Sequence, residues 1–257
     1  MGSKPQRRIV LTIGNHKGGV GKTTTAVTLG HGLALQGAHV LIIDCDPQGQ
    51  VATFMGLRQE SGLFDLLVAH RPLADVTRSA TTREQTRPNL YIVPGDKRTA
   101  TAQVVLTAEG FRLDCIVNAL NGIKPDYVVI DTSPSVGVLQ EAAIHAADWL
   151  IIPTAVDYPS AEGMGGILAT MKAVNQRGAA CKLFGVLPTM FDDVTRESRA
   201  TMDQLRRRFG DAVLQPIHRA TVLRECAAYG VTIWEHDPKS RAAAEYASLV
   251  GEVLKRA

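Results

Sequence analysis

The nine residues from His16 to Thr24, HKGGVGKTT, constrain this 257-residue chain more than any other stretch. The apolar run Ile9-Val10-Leu11-Thr12-Ile13 leads into them, and the helix-compatible run Thr25-Ala26-Val27-Thr28-Leu29 leads out. A short apolar run, a glycine-rich stretch and a helical continuation predict a strand, a tight loop and a helix N-terminus. That arrangement converges backbone N–H groups and the positive end of a helix dipole on one point, which suits a chain of phosphates. The amides of Gly18, Gly19, Val20, Gly21 and Thr24 are the expected cradle, Lys22 the residue that reaches the β- and γ-phosphates, and the Thr23 hydroxyl a ligand to Mg²⁺. The chain is therefore expected to bind a nucleoside triphosphate.

The loop departs from the usual phosphate-loop pattern, GxxxxGK[ST], at its first position. Glycine is wanted five places before Gly21, and His16 stands there, followed by a second lysine, Lys17. One lysine is enough to neutralise the phosphates of one nucleotide. Lys17 is then either an ordinary surface lysine or a residue that points out of its own site into another.

Beyond this loop the sequence excludes several classes. Apolar residues make up 45% and charged residues 21%, with a net charge of +3, which fits a globular chain with one sizeable core. No apolar run approaches the ~20 residues that span a bilayer, and MGSKPQRR lacks the apolar core of a secretory signal, so a cytoplasmic location is expected. Residues 1–8 read as a disordered tail and 9–257 as a single domain. The four cysteines (Cys45, Cys115, Cys181 and Cys226) show no CxxC spacing and read as small buried hydrophobes. The seven histidines show no metal-ligand spacing.

Short apolar runs alternate with helical stretches. Strands are predicted over 9–13, 39–44, 90–93, 127–131, 149–152 and 183–187, and helices over 23–35, 161–176, 195–209 and 240–255. Gly37 is a plausible residue to end the first helix. Several strands are unbroken Val/Ile/Leu runs, as parallel strands covered on both faces require. The fold class expected is α/β: one doubly wound, mostly parallel sheet with helices on both faces and its ligand at the C-terminal strand ends. Residues 56–88, rich in Arg and Thr, are the expected peripheral insertion.

Three carboxylates close the expected site. The second strand ends Leu41-Ile42-Ile43-Asp44-Cys45-Asp46-Pro47-Gln48, and its acids serve either as caps of the next helix or as groups near the γ-phosphate, where a carboxylate orients water or holds a Mg²⁺-bound one. The second reading assumes that this strand lies beside the phosphate-loop strand. Tyr127-Val128-Val129-Ile130-Asp131 is four apolar residues and an aspartate, a weak pattern alone and a strong one in a chain that carries a phosphate loop. Asp131 is expected to hold Mg²⁺ through water, together with Thr23.

Lys17-Gly18-Gly19-Val20-Gly21-Lys22-Thr23-Thr24 resembles the deviant Walker A box of the ParA/MinD ATPases. Asp44-Cys45-Asp46-Pro47-Gln48 is similar to the same family's Asp-x-Asp-Pro-Gln motif. Further likenesses run through Ile152-Pro153, Asp157-Tyr158, Ala161-Glu162-Gly163, the segment 185–192 and the closing stretch 225–246, nearest to the ParA/Soj partition branch. The family usually continues Asp-x-Pro-Pro-Ser where this chain has Asp131-Thr132-Ser133-Pro134-Ser135. The resemblance implies an ATPase, weak alone and stimulated by a partner, that uses ATP and Mg²⁺. Lys17 would act across the interface of an ATP-bound sandwich homodimer, Asp46 would position the attacking water, Asp44 would support the Mg²⁺ shell, and Met190 would border the adenine.

The same resemblance implies partners. Residues 196–257 hold 11 Lys/Arg against 8 Asp/Glu, which accounts for the whole net charge. Arg219, Arg224, Lys239 and Arg241 fall where partition ATPases carry basic residues for nonspecific double-stranded DNA, although the usual Ile-Pro-Arg-Asn run is here Ile217-His218-Arg219-Ala220. A nucleoid-associated protein with a ParB-like activating partner follows. Arg206-Arg207-Arg208 reads instead as a solvated helix face. Two alternatives stand beside this reading. A MinD-like membrane ATPase would want a basic amphipathic C-terminal helix, whereas the apolar residues of the last helix here recur at core-facing spacing. A metabolic enzyme on the same scaffold, such as an iron–sulfur reductase, would want a pair of ligand cysteines, for which Cys115 is one candidate.

Overall fold

The computed structural model describes residues 7–60, 62–110, 112–122, 124–156 and 160–256. Strands β1 (Ile9–Ile13), β2 (Val40–Cys45), β3 (Arg78–Ser79), β4 (Leu90–Val93), β5 (Tyr127–Thr132), β6 (Trp149–Ala155) and β7 (Lys182–Thr189) form one sheet in the order β3-β4-β2-β5-β1-β6-β7. Every pairing is parallel except the short edge contact of β3 with β4. Residues of β1, β2 and β5 are buried throughout, because helices cover both sheet faces. Strand β2 does not lie beside β1, contrary to the sequence expectation. Strand β5 runs between them, pairing Ile13 with Asp131 on one side and Asp44 with Asp131 on the other.

The helices are α1 (Lys22–Leu35), α2 (Gln50–Phe54), α3 (Leu63–Leu67), α4 (Leu73–Val76), α5 (Arg98–Ala108), α6 (Cys115–Ala119), α7 (Val138–Ala146), α8 (Ser160–Gln176), α9 (Arg196–Phe209), α10 (Thr221–Tyr229), α11 (Ile233–His236) and α12 (Arg241–Arg256). Helix α1 ends as its sequence implies. Gly37 adopts φ 87°, its N–H reaches the Ala34 carbonyl, and the Ala38 N–H reaches that of Leu33, which closes a Schellman motif. Helix α12 packs Tyr246, Leu249, Val250 and Val253 into the core beside α1. Its apolar face is thus consumed by the protein, and no helix among the described residues is long and apolar enough to cross a membrane.

Two expectations need correction. Residues 56–88 are not peripheral: Leu63, Leu66, Leu67, Leu73 and Val76 enter the main core, and Arg87 is buried beneath the surface. Arg7 and Arg8, placed by the sequence in the tail, are held against the domain. Arg7 pairs with Asp148 at 2.9 Å, and Arg8 donates to the Leu120 carbonyl at 2.6 Å. The four cysteines are free and buried as expected. Burial raises the Cys115 thiol to about 11.

Candidate nucleotide site

Strand β1 delivers the chain to the C-terminal edge of the sheet, where Gly14 to Gly21 turn it into α1. Gly19 and Gly21 take φ of 72° and 84°, the left-handed region in which a side chain is strained. Space around Gly18 and Gly19 is open, with no heavy atom within 4 Å of where a Cβ would sit. The Gly21 carbonyl accepts the first helical bond, from the Thr25 N–H at 2.9 Å. The loop is braced from below. Buried Asn15 donates its amide to the Pro153 carbonyl at 2.8 Å and accepts the Lys17 N–H at 3.0 Å, and the Thr189 hydroxyl donates to the Val20 carbonyl at 2.9 Å. Neither Asn15 nor Thr189 was singled out by sequence. A lone Asn at the end of an apolar strand was the available signal, since a buried amide demands partners.

Lys22 is buried and its Nζ donates to the Lys17 carbonyl at 2.9 Å. Burial lowers its pKa, with the negative charges of Asp131 and Asp46 acting in the opposite sense. The Thr23 hydroxyl donates to Asp131 Oδ2 at 2.7 Å. Asp131 Oδ1 is buried and has no hydrogen-bond partner among the described residues. An orphaned carboxylate oxygen beside a threonine hydroxyl fits a hydrated Mg²⁺, whose bound water would donate to it. Burial, then the neighbouring Asp44 carboxylate, drives the Asp131 pKa upward, an environment that calls for a cation.

Asp44 and Asp46 differ in their surroundings. Asp44 is wholly buried and accepts the Asp46 N–H at 3.0 Å on Oδ1 and the Val51 N–H at 3.1 Å on Oδ2. Both of its oxygens are engaged by backbone, so it braces the turn into α2. Burial nevertheless raises it to about 7, those backbone donors acting against the shift. Asp46 is half-buried and faces the open cavity, its Oδ1 accepting the Gln48 N–H at 2.8 Å. That cavity, of about 430 Å³, is lined by Gly18, Lys22, Thr23, Asp46, Ser133 and Met190 among others. Met190 sits at φ 53° at the end of β7 and also lines a neighbouring cavity of about 260 Å³ with Thr24, His218, Arg219, Arg224 and Tyr246.

The four basic residues assigned to DNA differ in their surroundings. Arg219, Arg224 and Lys239 are exposed, and Arg219 and Arg224 rim the smaller cavity. Arg241 is engaged: its Nε donates to Glu245 at 2.9 Å, and its guanidinium meets Asp193 at 3.4 Å. Arg206, Arg207 and Arg208 are exposed on α9 opposite buried Met202 and Leu205, the solvated face expected. Asp157 and Tyr158 lie outside the described residues, as do the side chains of 161–163.

A doubly wound parallel sheet, a phosphate loop with two lysines and carboxylates at the neighbouring strand ends define a P-loop ATPase. The AAA domain family model matches residues 8–183. The Soj sporulation initiation inhibitor of Bacillus subtilis strain 168 is 34% identical over 251 residues, covering 95% of this chain and 97% of that protein. The chromosome-partitioning ATPase Soj of Thermus thermophilus is 35% identical, covering 97% of this chain and 96% of that one. This chain belongs to the ParA/Soj family of partitioning ATPases. Among solved structures, apo McdA from Cyanothece superposes with a TM-score of 0.86 at 23% identity, covering 96% of this chain and all of that one, a likeness of fold. Cobyrinic acid a,c-diamide synthase from Mycobacterium smegmatis, with bound ADP and magnesium, superposes at 0.81 with 29% identity, covering 97% and 95%.

Proposed function

We propose that this ATPase is a nucleotide-driven DNA tether for the partition of chromosome, plasmid or other large cargo. ATP with Mg²⁺ occupies the larger cavity, held by the loop amides of Gly18 to Thr24, by Lys22, and by Thr23 with Asp131 on the metal side. Mg²⁺ supplies neutralisation of charge on the phosphates. Asp46, whose carboxylate faces the cavity, orients the attacking water, and Asp44 serves by holding the Asp46 N–H. Lys17, at the loop's entrance, reaches the phosphates of a second subunit, so that ATP holds a sandwich homodimer together. Met190 borders the adenine.

The observation that carries the DNA half of this reading is the position of Arg219 and Arg224. Both are exposed on the rim of a cavity that also contains Thr24 and Met190, so the nucleotide site and a basic surface share residues. With Lys239 they give each subunit three cations for backbone phosphates, and dimerisation doubles that number. Binding of this kind is independent of sequence and falls steeply with salt. A ParB-like partner then stimulates hydrolysis and release, which would make the protein nucleoid-associated in the cell. Binding to a random-sequence duplex, measured with ATP and with ADP at low and moderate salt, tests the proposal. Binding that requires ATP and weakens steeply with salt is expected; equal binding with both nucleotides, or none, overturns it.

A further inference from the structure

His16 occupies the position at which a standard phosphate loop has glycine, and its ring is held from two sides. Its Nε2 lies 2.8 Å from Gln140 Oε1 on α7. Gln140 is buried, and its Nε2 donates to the Ser133 carbonyl at 3.2 Å. The Ser133 carbonyl needs a donor, which fixes the orientation of the Gln140 amide and leaves Oε1 as the acceptor. His16 must therefore carry its proton on Nε2. On the ring's other side stands Gly166 of α8, where an added Cβ would collide with His16 Nδ1. Glycine in a helix costs up to about 1 kcal/mol relative to alanine, so Gly166 calls for a local reason, and the imidazole supplies it. The adjacent Gly165 has open space where its Cβ would be.

We propose that His16 is a positioning residue for ATP hydrolysis. Through Gln140 it ties the entrance of the phosphate loop to the loop that follows Asp131, so that the two walls of the cavity hold one geometry. Ser133, Pro134 and Ser135 line the nucleotide cavity opposite the phosphate loop. His16 also immediately precedes Lys17, whose carbonyl accepts Lys22 Nζ. With the tie cut, the amides of Gly18 to Thr24 still bind phosphates, while the groups around the reacting end lose their registration. Misplacement of reacting groups by an ångström costs up to about a hundredfold in rate, and a partial loosening correspondingly less. The effect belongs in kcat and not in ATP affinity. This inference requires only that the protein hydrolyses ATP; it needs neither the dimer nor DNA.

Two glycines provide the decisive comparison. Gly166→Ala and Gly165→Ala make the same change on the same helix, and alanine favours the helix at both. Single-turnover hydrolysis and binding of a fluorescent ATP analogue are measured on the full chain, with thermal unfolding of each variant alongside. Gly166→Ala is expected to lower the hydrolysis rate about tenfold with ATP affinity within about twofold, while Gly165→Ala behaves as wild type. His16→Ala should match Gly166→Ala. His16→Gln, whose amide nitrogen can donate to Gln140 Oε1, should recover most of the rate. His16→Ala combined with Gln140→Ala should be no slower than the slower single variant, since both cut one tie. Gly166→Ala hydrolysing like Gly165→Ala overturns the proposal, whether or not His16→Ala folds. So does a His16→Ala variant that loses ATP affinity as much as rate.

Discussion

Arg87 is the residue whose replacement tests the packing of this fold most severely. Its guanidinium is fully buried and spends every donor direction. Nε and Nη2 donate to the two Glu235 carboxylate oxygens at 2.8 and 3.0 Å, Nη1 to the carbonyls of Met55 and Ala80 at 2.6 and 2.9 Å, and Nη2 also to that of Gly230 at 3.1 Å. Four separate segments meet at one cation. Arg87→Met keeps much of the volume but leaves three carbonyls without this donor and a largely buried carboxylate without its counter-charge. Removing one partner of a buried pair costs about 3–5 kcal/mol. For a chain of this length that lowers the melting temperature by roughly 6–20 °C. Glu235→Gln should also be costly, because it leaves the buried Arg87 cation without its counter-charge, although Gln still fills the capping box with Thr232 and its amide oxygen still accepts from the guanidinium. The double variant should recover part of the Arg87→Met loss, since the unpaired charge is then gone. Urea unfolding followed by circular dichroism measures all three. A loss below about 1 kcal/mol for Arg87→Met, with an unchanged denaturant slope, would refute the reasoning, as would a double variant no more stable than Arg87→Met.

Other expectations follow from single groups. His31 is buried in α1, its Nδ1 2.7 Å from the Thr232 hydroxyl, and burial lowers its pKa to about 4. Its folded value lies below the unfolded one, near 6.5, so its contribution is complete above about pH 6.5 and is lost as pH falls toward 4. His31→Gln should flatten the decline in stability across that window, on the order of 3 kcal/mol in the wild type, in a pH series of urea titrations; an unchanged slope would exclude His31. Lys22→Ala should weaken ATP binding by at least about tenfold in equilibrium titration, and wild-type affinity would remove Lys22 from the phosphate site. Asp46→Ala should bind ATP normally and turn it over at least about tenfold more slowly, whereas a normal rate in a phosphate-release assay would exclude Asp46 from the chemistry. Arg219→Ala should weaken ATP-dependent duplex binding several-fold and reduce its salt slope at unchanged ATP affinity; an unaltered slope would take Arg219 off the DNA surface.

What the sequence made legible and what it hid differ in range along the chain. The phosphate loop, α1 and its Gly37 terminus are written locally, because loop conformation, helix start and helix stop are each decided by residues within a few positions of one another. Strands β1, β2 and β4 to β7 were found because burial makes them continuous apolar runs, although β6 and β7 extend further than expected, to Ala155 and Thr189, while the two-residue edge strand β3, exposed at Arg78 and Ser79, was missed. Strand order was not legible: nothing within β2 says that β5 will insert between it and β1. That insertion sets Asp44 beside Asp131, and it separates Asp44, with both oxygens bound to backbone, from Asp46, which faces the cavity. The same limit explains Arg87. An arginine in a polar stretch reads as surface until Glu235, 148 positions away, and three carbonyls are known to surround it. It explains His16 as well, whose departure from the motif is visible in the sequence while its partners, Gln140 and Gly166, lie on helices more than a hundred residues away. Polar residues that break a local pattern are therefore the places where a tertiary partner is owed, and in this chain Asn15, His16 and Arg87 each have one.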